Sequence, residues 1–360
     1  MPGSQSHPVD PPTILLTCGD PAGIGPEVVT LAWAATPAHI RARLRVVAHV
    51  ALLEGMLATR RGLPHCRIVP VQAGDPRDSR PEEMLVIEPD GGDSPAVPPL
   101  AAATAAGGRL AVAAVETACG LVRTGRAAAL VTGPLHKGAL RAAGHDAPGH
   151  TELLARACGL PDDAVSMMLW LPAADGGGLG VVHATLHESL ASAVARLSTS
   201  GIVAAGRRLA GLLEPLLGRR PRIAVAALNP HGGEGGLFGD EEPRLVAPAV
   251  RELVAAGLDV TGPLPADTLF LRASRGEFDG VVALYHDQGH IPIKLLGMHR
   301  AVNITLGLPL VRTSVAHGTA FDIVGTGRAD PASMLAAIAA AVRLVEAGWP
   351  AEQSVRAATG

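Results

Sequence analysis

Short apolar runs that stop abruptly at polar, chemically capable residues are what most constrain the folding of this chain. Residues 280–285 (GVVALY) are such a run, and His286-Asp287 follow at once. A short, valine-rich run bounded in this way reads as a strand buried on both faces, the mark of an α/β protein. Ligands of open α/β sheets bind beyond the carboxyl ends of the strands, so His286 and Asp287 stand where chemistry is placed. The stretch from Asp279 to Arg312, DGVVALYHDQGHIPIKLLGMHRAVNITLGLPLVR, also brings His290, Lys294, Asn303 and Arg312 into one region. The arrangement occurs twice more: residues 180–185 precede His187, and residues 222–228 precede His231.

The remaining elements follow the same logic. Residues 13–18 (TILLTC) predict a strand, and GDPAGIG predicts a turn into a helix opened by Pro26 and Glu27. That turn fails as a Rossmann fingerprint, because Val28 stands where a small residue is needed and no acid lies near position 45. Strands are expected at 44–50, 67–71, 84–88, 128–132 and 165–171, and helices at 105–123, 189–194, 201–217, 241–256 and 331–347. Thr151 is expected to cap a helix running to Cys158. Residues 89–99 read as a Pro/Gly-rich loop and 313–327 as a glycine-punctuated loop.

At 360 residues the chain can hold two α/β halves around a cleft. A formal charge of −3 supplies no basic field for nucleic acid, which leaves a small molecule as the expected partner. No apolar stretch runs unbroken for the roughly 18 residues of a membrane span. Four well-separated cysteines suit a reducing, cytoplasmic setting and exclude a thiolate zinc site. Residues 1–12 read as a disordered lead-in rather than a signal peptide.

His187, His231 and His286 at strand ends are candidate ligands for a divalent ion such as Zn²⁺, although histidines also fall at strand ends by chance. Lys294 lies in an apolar segment, IPIKLLG, where its charge calls for a partner. Arg312 can grip a carboxylate or phosphate with two donors. These groups point to an anionic substrate beside a metal.

The motifs GDPAGIGPE (19–27), GHTE (149–152), LNPH (228–231), PLPADTLF (263–270), YHDQG (285–289) and RTSVAHGTA (312–320) resemble the 4-hydroxythreonine-4-phosphate dehydrogenase family of vitamin B6 biosynthesis. The resemblance covers nearly the whole chain after about residue 13. It implies two α/β/α domains around a cleft, as in isocitrate and isopropylmalate dehydrogenases, with residues 13–133 and 305–360 forming the first domain and 134–304 the second. It implies a homodimer with shared active sites, NAD or NADP as cofactor, and a divalent metal (Zn²⁺, or Mg²⁺, Mn²⁺ or Co²⁺) on His187, His231 and His286, one of them from the partner. His150, Thr151, Lys294, Asn303 and Arg312 match the family's substrate-binding positions, and His317, Gly318, Thr319, Ala320 and Asp322 its nucleotide loop. Asp267, Asp287 and Lys294 are the candidate proton acceptors.

Ala316 stands where the family commonly has an aspartate, which bears on nucleotide affinity or preference. The GHIPIK segment (289–294) looks more like the branch acting on 4-phosphorylated threonate or erythronate, or on cis-dihydrodiol carboxylates. The expected reaction is oxidation of a phosphorylated hydroxy acid with β-decarboxylation. A non-catalytic sugar-phosphate-binding protein is the rival from another class.

Overall fold

The computed structural model describes residues 12–90, 98–147, 149–161, 164–174 and 177–350. The expected lead-in up to residue 11 and most of the 89–99 loop lie outside them.

The first part of the chain runs β1 (Ile14–Thr17), α1 (Gly25–Ala35), α2 (Ala38–Arg41), β2 (Leu44–Val47), α3 (Val50–Thr59), β3 (Arg67–Pro70), β4 (Glu83–Ile87), α4 (Ala105–Arg123) and β5 (Ala129–Thr132). There follow α5 (Lys137–Ala142), α6 (His150–Ala157), β6 (Ser166–Pro172), β7 (Gly178–His183), α7 (Leu190–Arg196), α8 (Thr199–Leu217), β8 (Arg222–Ala226) and α9 (Ala247–Ala255). The last part holds β9 (Asp259–Leu264), α10 (Ala266–Ser274), β10 (Gly280–Ala283), α11 (His286–Gly297), β11 (Val302–Leu306), β12 (Val311–Val315) and α12 (Ala332–Glu346).

Among the described residues one twelve-stranded sheet threads the molecule in the order β3-β4-β2-β1-β5-β12-β11-β6-β7-β10-β8-β9. The block from β3 to β12 is parallel, and so is the block from β7 to β9. Between them β11 runs antiparallel to both β12 and β6, and β6 antiparallel to β7. Helices cover the parallel blocks, which is why their strands are apolar on both faces. Helix α12 packs on one face of β11 and β12, and the other face of this antiparallel seam opens to a cleft.

Several expectations are corrected at this level. Residues 313–315 belong to β12 rather than to a loop; Thr313 is buried and its hydroxyl donates to the Ala337 carbonyl at 2.8 Å. The polar content that suggested a loop is the inward alternation of a strand that meets a cavity. Strand β9 and helix α10 occupy residues 259–264 and 266–274, where no element is expected from the sequence alone. Thr151 is not the cap of α6; Gly149 is, with no side-chain bond. Helix α4 keeps its expected bounds, with Thr104 Oγ1 accepting from the Gly107 amide at 3.0 Å. It is long and apolar enough to cross a membrane by composition alone, yet half of it is buried in the core against α5, α6 and β1.

Candidate active site

Alternation along the seam builds the floor of a cavity of about 310 Å³. Asn303 of β11 is in register with Ser314 of β12 on one side and Leu169 of β6 on the other, and Arg312 and Met167 lie two residues along on the same face. All five line the cavity, which is completed by the loop after β5, the start of α6 and the first turns of α11.

Arg312 is only 1% exposed. Its two terminal nitrogens donate to Thr305 Oγ1 (2.9 Å) and Thr132 Oγ1 (2.7 Å), while its buried Nε has no partner. Burial pulls this guanidinium down to about 9, opposed by the Glu152 carboxylate, so it is still charged at neutral pH. His150, in the first turn of α6, has a buried Nε2 without a partner, and burial and then the charge of Arg312 hold it well below the usual imidazole range. Asn303 donates to Met167 Sδ and leaves its Oδ1 buried and unbonded. Thr151 and Lys294 also line the cavity. Lys294 is exposed, as are Ile291, Leu295, Leu296 and Met298 around it, so the apolar segment is a surface helix and imposes no burial on the lysine.

Two of the three expected metal ligands come together. His187 and His286 have ring centroids 5.7 Å apart. His286 opens α11, and its Nδ1 meets Asp287 Oδ1 at 2.7 Å, which leaves Nε2 free for a metal and fixes the ring, as carboxylate–histidine pairs do in metal sites. Asp287 is thereby turned away from the cavity toward solvent. His231 is exposed on the glycine-rich loop after β8, and Asp267 is exposed on α10; neither lines the cavity. Among the described residues no group of three or more His, Cys, Asp or Glu side chains could hold a metal. One chain thus brings together two of the three expected imidazoles.

Backbone strain coincides with these positions. Of the five non-glycine residues with positive φ among those described, three are His187 (32°), His231 (54°) and Ala320 (42°). Such conformations cost on the order of 1–3 kcal/mol and gather at functional sites.

The expected nucleotide loop docks on the GDPAGIG turn. The Ile24 amide donates to the Thr319 carbonyl at 3.0 Å, and Glu27 accepts from the Gly325 amide (2.8 Å) and from Arg60 (3.0 Å). Gly25 must be glycine, since a Cβ would lie 1.9 Å from the Cys18 carbonyl oxygen. Phe321 stacks on His136 at 5.0 Å, and His317 and Ala316 line the same cavity as Arg312. Gly318 and Asp322 are exposed.

Sequence reasoning missed Lys137, Glu152, His183 and the two threonines that hold Arg312. Lys137 follows a strand end and Glu152 stands in a quoted motif, so both carried a signal. His183 is the last residue of β7, and the strand read as running on to residue 185 hid that end. It is 6% exposed and its Nε2 is 3.0 Å from His290 Nδ1. Burial, then His286 and Lys294, push His290 down to about 4.

A buried arginine without a counter-ion, histidines at strand ends and a docked loop over an open seam define an α/β enzyme that handles an acidic small molecule. The chain belongs to the pyridoxal phosphate biosynthetic protein PdxA family, whose pattern matches residues 41–341. It is 44% identical over 330 residues to a D-threonate 4-phosphate dehydrogenase of Cupriavidus necator, covering 91% of this chain and 95% of that one. It is 43% identical over 345 residues to a 4-hydroxythreonine-4-phosphate dehydrogenase of Xanthobacter autotrophicus, covering 94% and 95%. The crystal structure of the 4-hydroxythreonine-4-phosphate dehydrogenase of Klebsiella pneumoniae matches with a TM-score of 0.80 and 41% identity, over 93% of this chain and 99% of that one. The family and α/β fold read from the motifs are borne out, and the chain is an oxidoreductase.

Proposed function

We propose that this protein oxidises the secondary alcohol of a phosphorylated hydroxy acid with NAD or NADP, and that β-decarboxylation follows. The observation that carries the reading is Arg312: a fully buried guanidinium facing a cavity, bonded to two neutral hydroxyls, with its Nε unbonded and no ion-pair partner among the described residues. A buried charge in that state calls for an anion. Lys137 and Lys294 add positive charge to the same cavity, and Glu152 is the single carboxylate lining it among the described residues. This excess favours a substrate with phosphate and carboxylate but no ammonium group, so D-threonate 4-phosphate is the better fit of the two substrates named for the relatives. The aminated 4-hydroxythreonine 4-phosphate is the second reading, supported by Glu152 as a partner for its ammonium.

Arg312, His150, Thr151 and Asn303 bind and orient the anionic ends, and the loop from His317 to Asp322 receives the adenosine side of the dinucleotide. His187 and His286 of one chain, with His231 of the partner subunit, would hold the divalent ion. When bound, that ion would act as a Lewis acid toward the oxidised oxygen, and the nicotinamide would supply the hydride acceptor. Loss of a hydride from carbon requires loss of the hydroxyl proton as well. Asp267, Asp287 and Lys294 are the candidate acceptors, and Lys294 is the one that lines the cavity within a single chain. The ketone so formed is β to the carboxylate, and departure of CO₂ leaves its electron pair delocalised onto the ketone oxygen. A homodimer is part of the proposal: Ile291 and Leu295 of α11 and Met298 just past its end form an exposed apolar stripe, 54%, 82% and 44% accessible, next to the half-built metal site.

The test follows nicotinamide reduction and CO₂ release together, with each phosphorylated acid, both dinucleotides and a divalent ion. Coupled reduction and CO₂ release, with the larger kcat/KM for D-threonate 4-phosphate, is the expected result. Absence of reduction with every phosphorylated hydroxy acid sinks the proposal, and accumulation of a stable β-keto acid limits it to oxidation.

A further inference from the structure

Beneath the metal-capable histidines lies a second pair that the reaction just described does not use. His183 projects from β7 and His290 from the second turn of α11, both 6% exposed. Their rings are 4.6 Å apart, and His290 stacks on His286 with centroids 3.8 Å apart and planes inclined by 11°. The close approach of strand and helix depends on Gly289, where a Cβ would stand 2.4 Å from His183 Nε2. The pair is therefore a packed arrangement with one orientation open to it.

The hydrogen bonds decide which nitrogen of His290 carries its proton. Nδ1 lies 3.0 Å from His183 Nε2 and 3.3 Å from the His286 carbonyl oxygen. A carbonyl oxygen can only accept, so the contact with the His286 carbonyl assigns the proton to Nδ1, shared between the two; His183 then accepts through Nε2 and carries its own proton on a buried Nδ1 that has no partner among the described residues. A neutral imidazole then has a bare Nε2. Among the described residues no protein group bonds to that atom, and His290 lines the substrate cavity. The cationic side chains around the cavity, Lys137, Lys294 and Arg312, offer donors alone. A polyhydroxy acid brings hydroxyl donors that these groups cannot satisfy.

We propose that His290, held in its Nδ1-protonated form by His183 and the His286 carbonyl, is a specificity-determining residue whose Nε2 accepts a hydrogen bond from a hydroxyl of the bound hydroxy acid. The proposal rests on the cavity being the substrate site. It separates the binding of hydroxylated from deoxygenated phosphorylated acids, since a buried acceptor left unpaired penalises a ligand that lacks the hydroxyl.

Two substitutions distinguish this role from packing. Asparagine can place an amide nitrogen near the Nδ1 position and keeps the bond to His183, but has nothing where Nε2 was. Glutamine can reach the Nε2 position with its amide oxygen. D-threonate 4-phosphate is titrated calorimetrically into the wild-type protein and into H290N and H290Q, with metal affinity measured in parallel and kcat/KM where turnover occurs. The expected result is binding weakened on the order of 10- to 100-fold in H290N, most of it recovered in H290Q, with metal affinity unaltered. Unweakened binding in H290N, equal losses in both variants, or a parallel fall in metal affinity overturns the proposal. Nitrogen-detected imidazole NMR of the free wild-type protein gives a reading independent of either variant's folding: a proton on His290 Nε2 also overturns it. Binding without turnover in the wild type would defeat the proposed reaction while leaving this inference to be judged by the titrations, whereas no binding at all defeats both.

Discussion

Replacing Arg312 with lysine keeps the charge and removes the fork. In the wild-type protein the two terminal nitrogens are held by Thr132 and Thr305, so the guanidinium plane is fixed before any ligand arrives. A lysine ammonium has no such plane and presents a point charge. Loss of one charge-assisted bond to the substrate anion costs about 1.5–3 kcal/mol, or on the order of 10- to 100-fold in kcat/KM. Methionine at the same position separates binding from stability. It gives up two hydrogen bonds worth about 1 kcal/mol each but also removes an unpaired buried charge, whose desolvation penalty is several kcal/mol. The ligand-free Met variant should therefore melt no lower than the wild type, while substrate no longer raises its Tm. Steady-state kinetics and thermal unfolding with and without D-threonate 4-phosphate read both effects. Wild-type kcat/KM in Arg312→Lys, or a Met variant several degrees less stable than wild type, would refute the account of Arg312 as an uncompensated anion-binding charge.

Asp287→Asn should weaken divalent-metal affinity about 10- to 100-fold by freeing the His286 ring, with little change in Tm of the metal-free protein; equal metal affinity in both proteins would count against the orienting role. Sedimentation should show a dimer at assay concentration, and H187A, H231A and H286A should each lose bound metal; a fully active monomer contradicts the shared site. The buried histidines His150, His183 and His290 have folded-state values depressed below 6.5, so the unfolded chain binds their protons first. Stability should accordingly be intact above pH 6.5 and fall as the pH drops toward 4, the value to which His290 is pushed. Urea midpoints between pH 8 and 4 check this, and a flat profile would contradict it.

Exposed apolar residues on α11 illustrate how a local reading can reverse its meaning. From IPIKLLG alone, Lys294 seemed a charge in a buried setting. In the fold the lysine is accessible and the apolar residues are a surface stripe. Periodicity reports that residues share a helix face, and burial depends on what else is packed there. Asp267 and His231 show the same limit from the other side, since their motifs are intact while their positions lie away from the cavity of their own chain.

What the sequence determined by itself was local and chemical. Valine-rich runs ending in histidine placed strand ends and their polar successors, Pro26 and Glu27 opened a helix, and the ordered motifs carried the family. Alternation within β6, β11 and β12 was also written there, but which strands would lie side by side was not. Asn303 meets Leu169 across more than a hundred residues of chain, and Arg312 meets Leu130 across still more. Only that pairing turns separate polar positions into a cavity floor, leaves Arg312 buried without a counter-ion, and sets His183 against His290. The physical reason is that side-chain period fixes the face a residue occupies, whereas strand order is settled by the packing of the whole sheet.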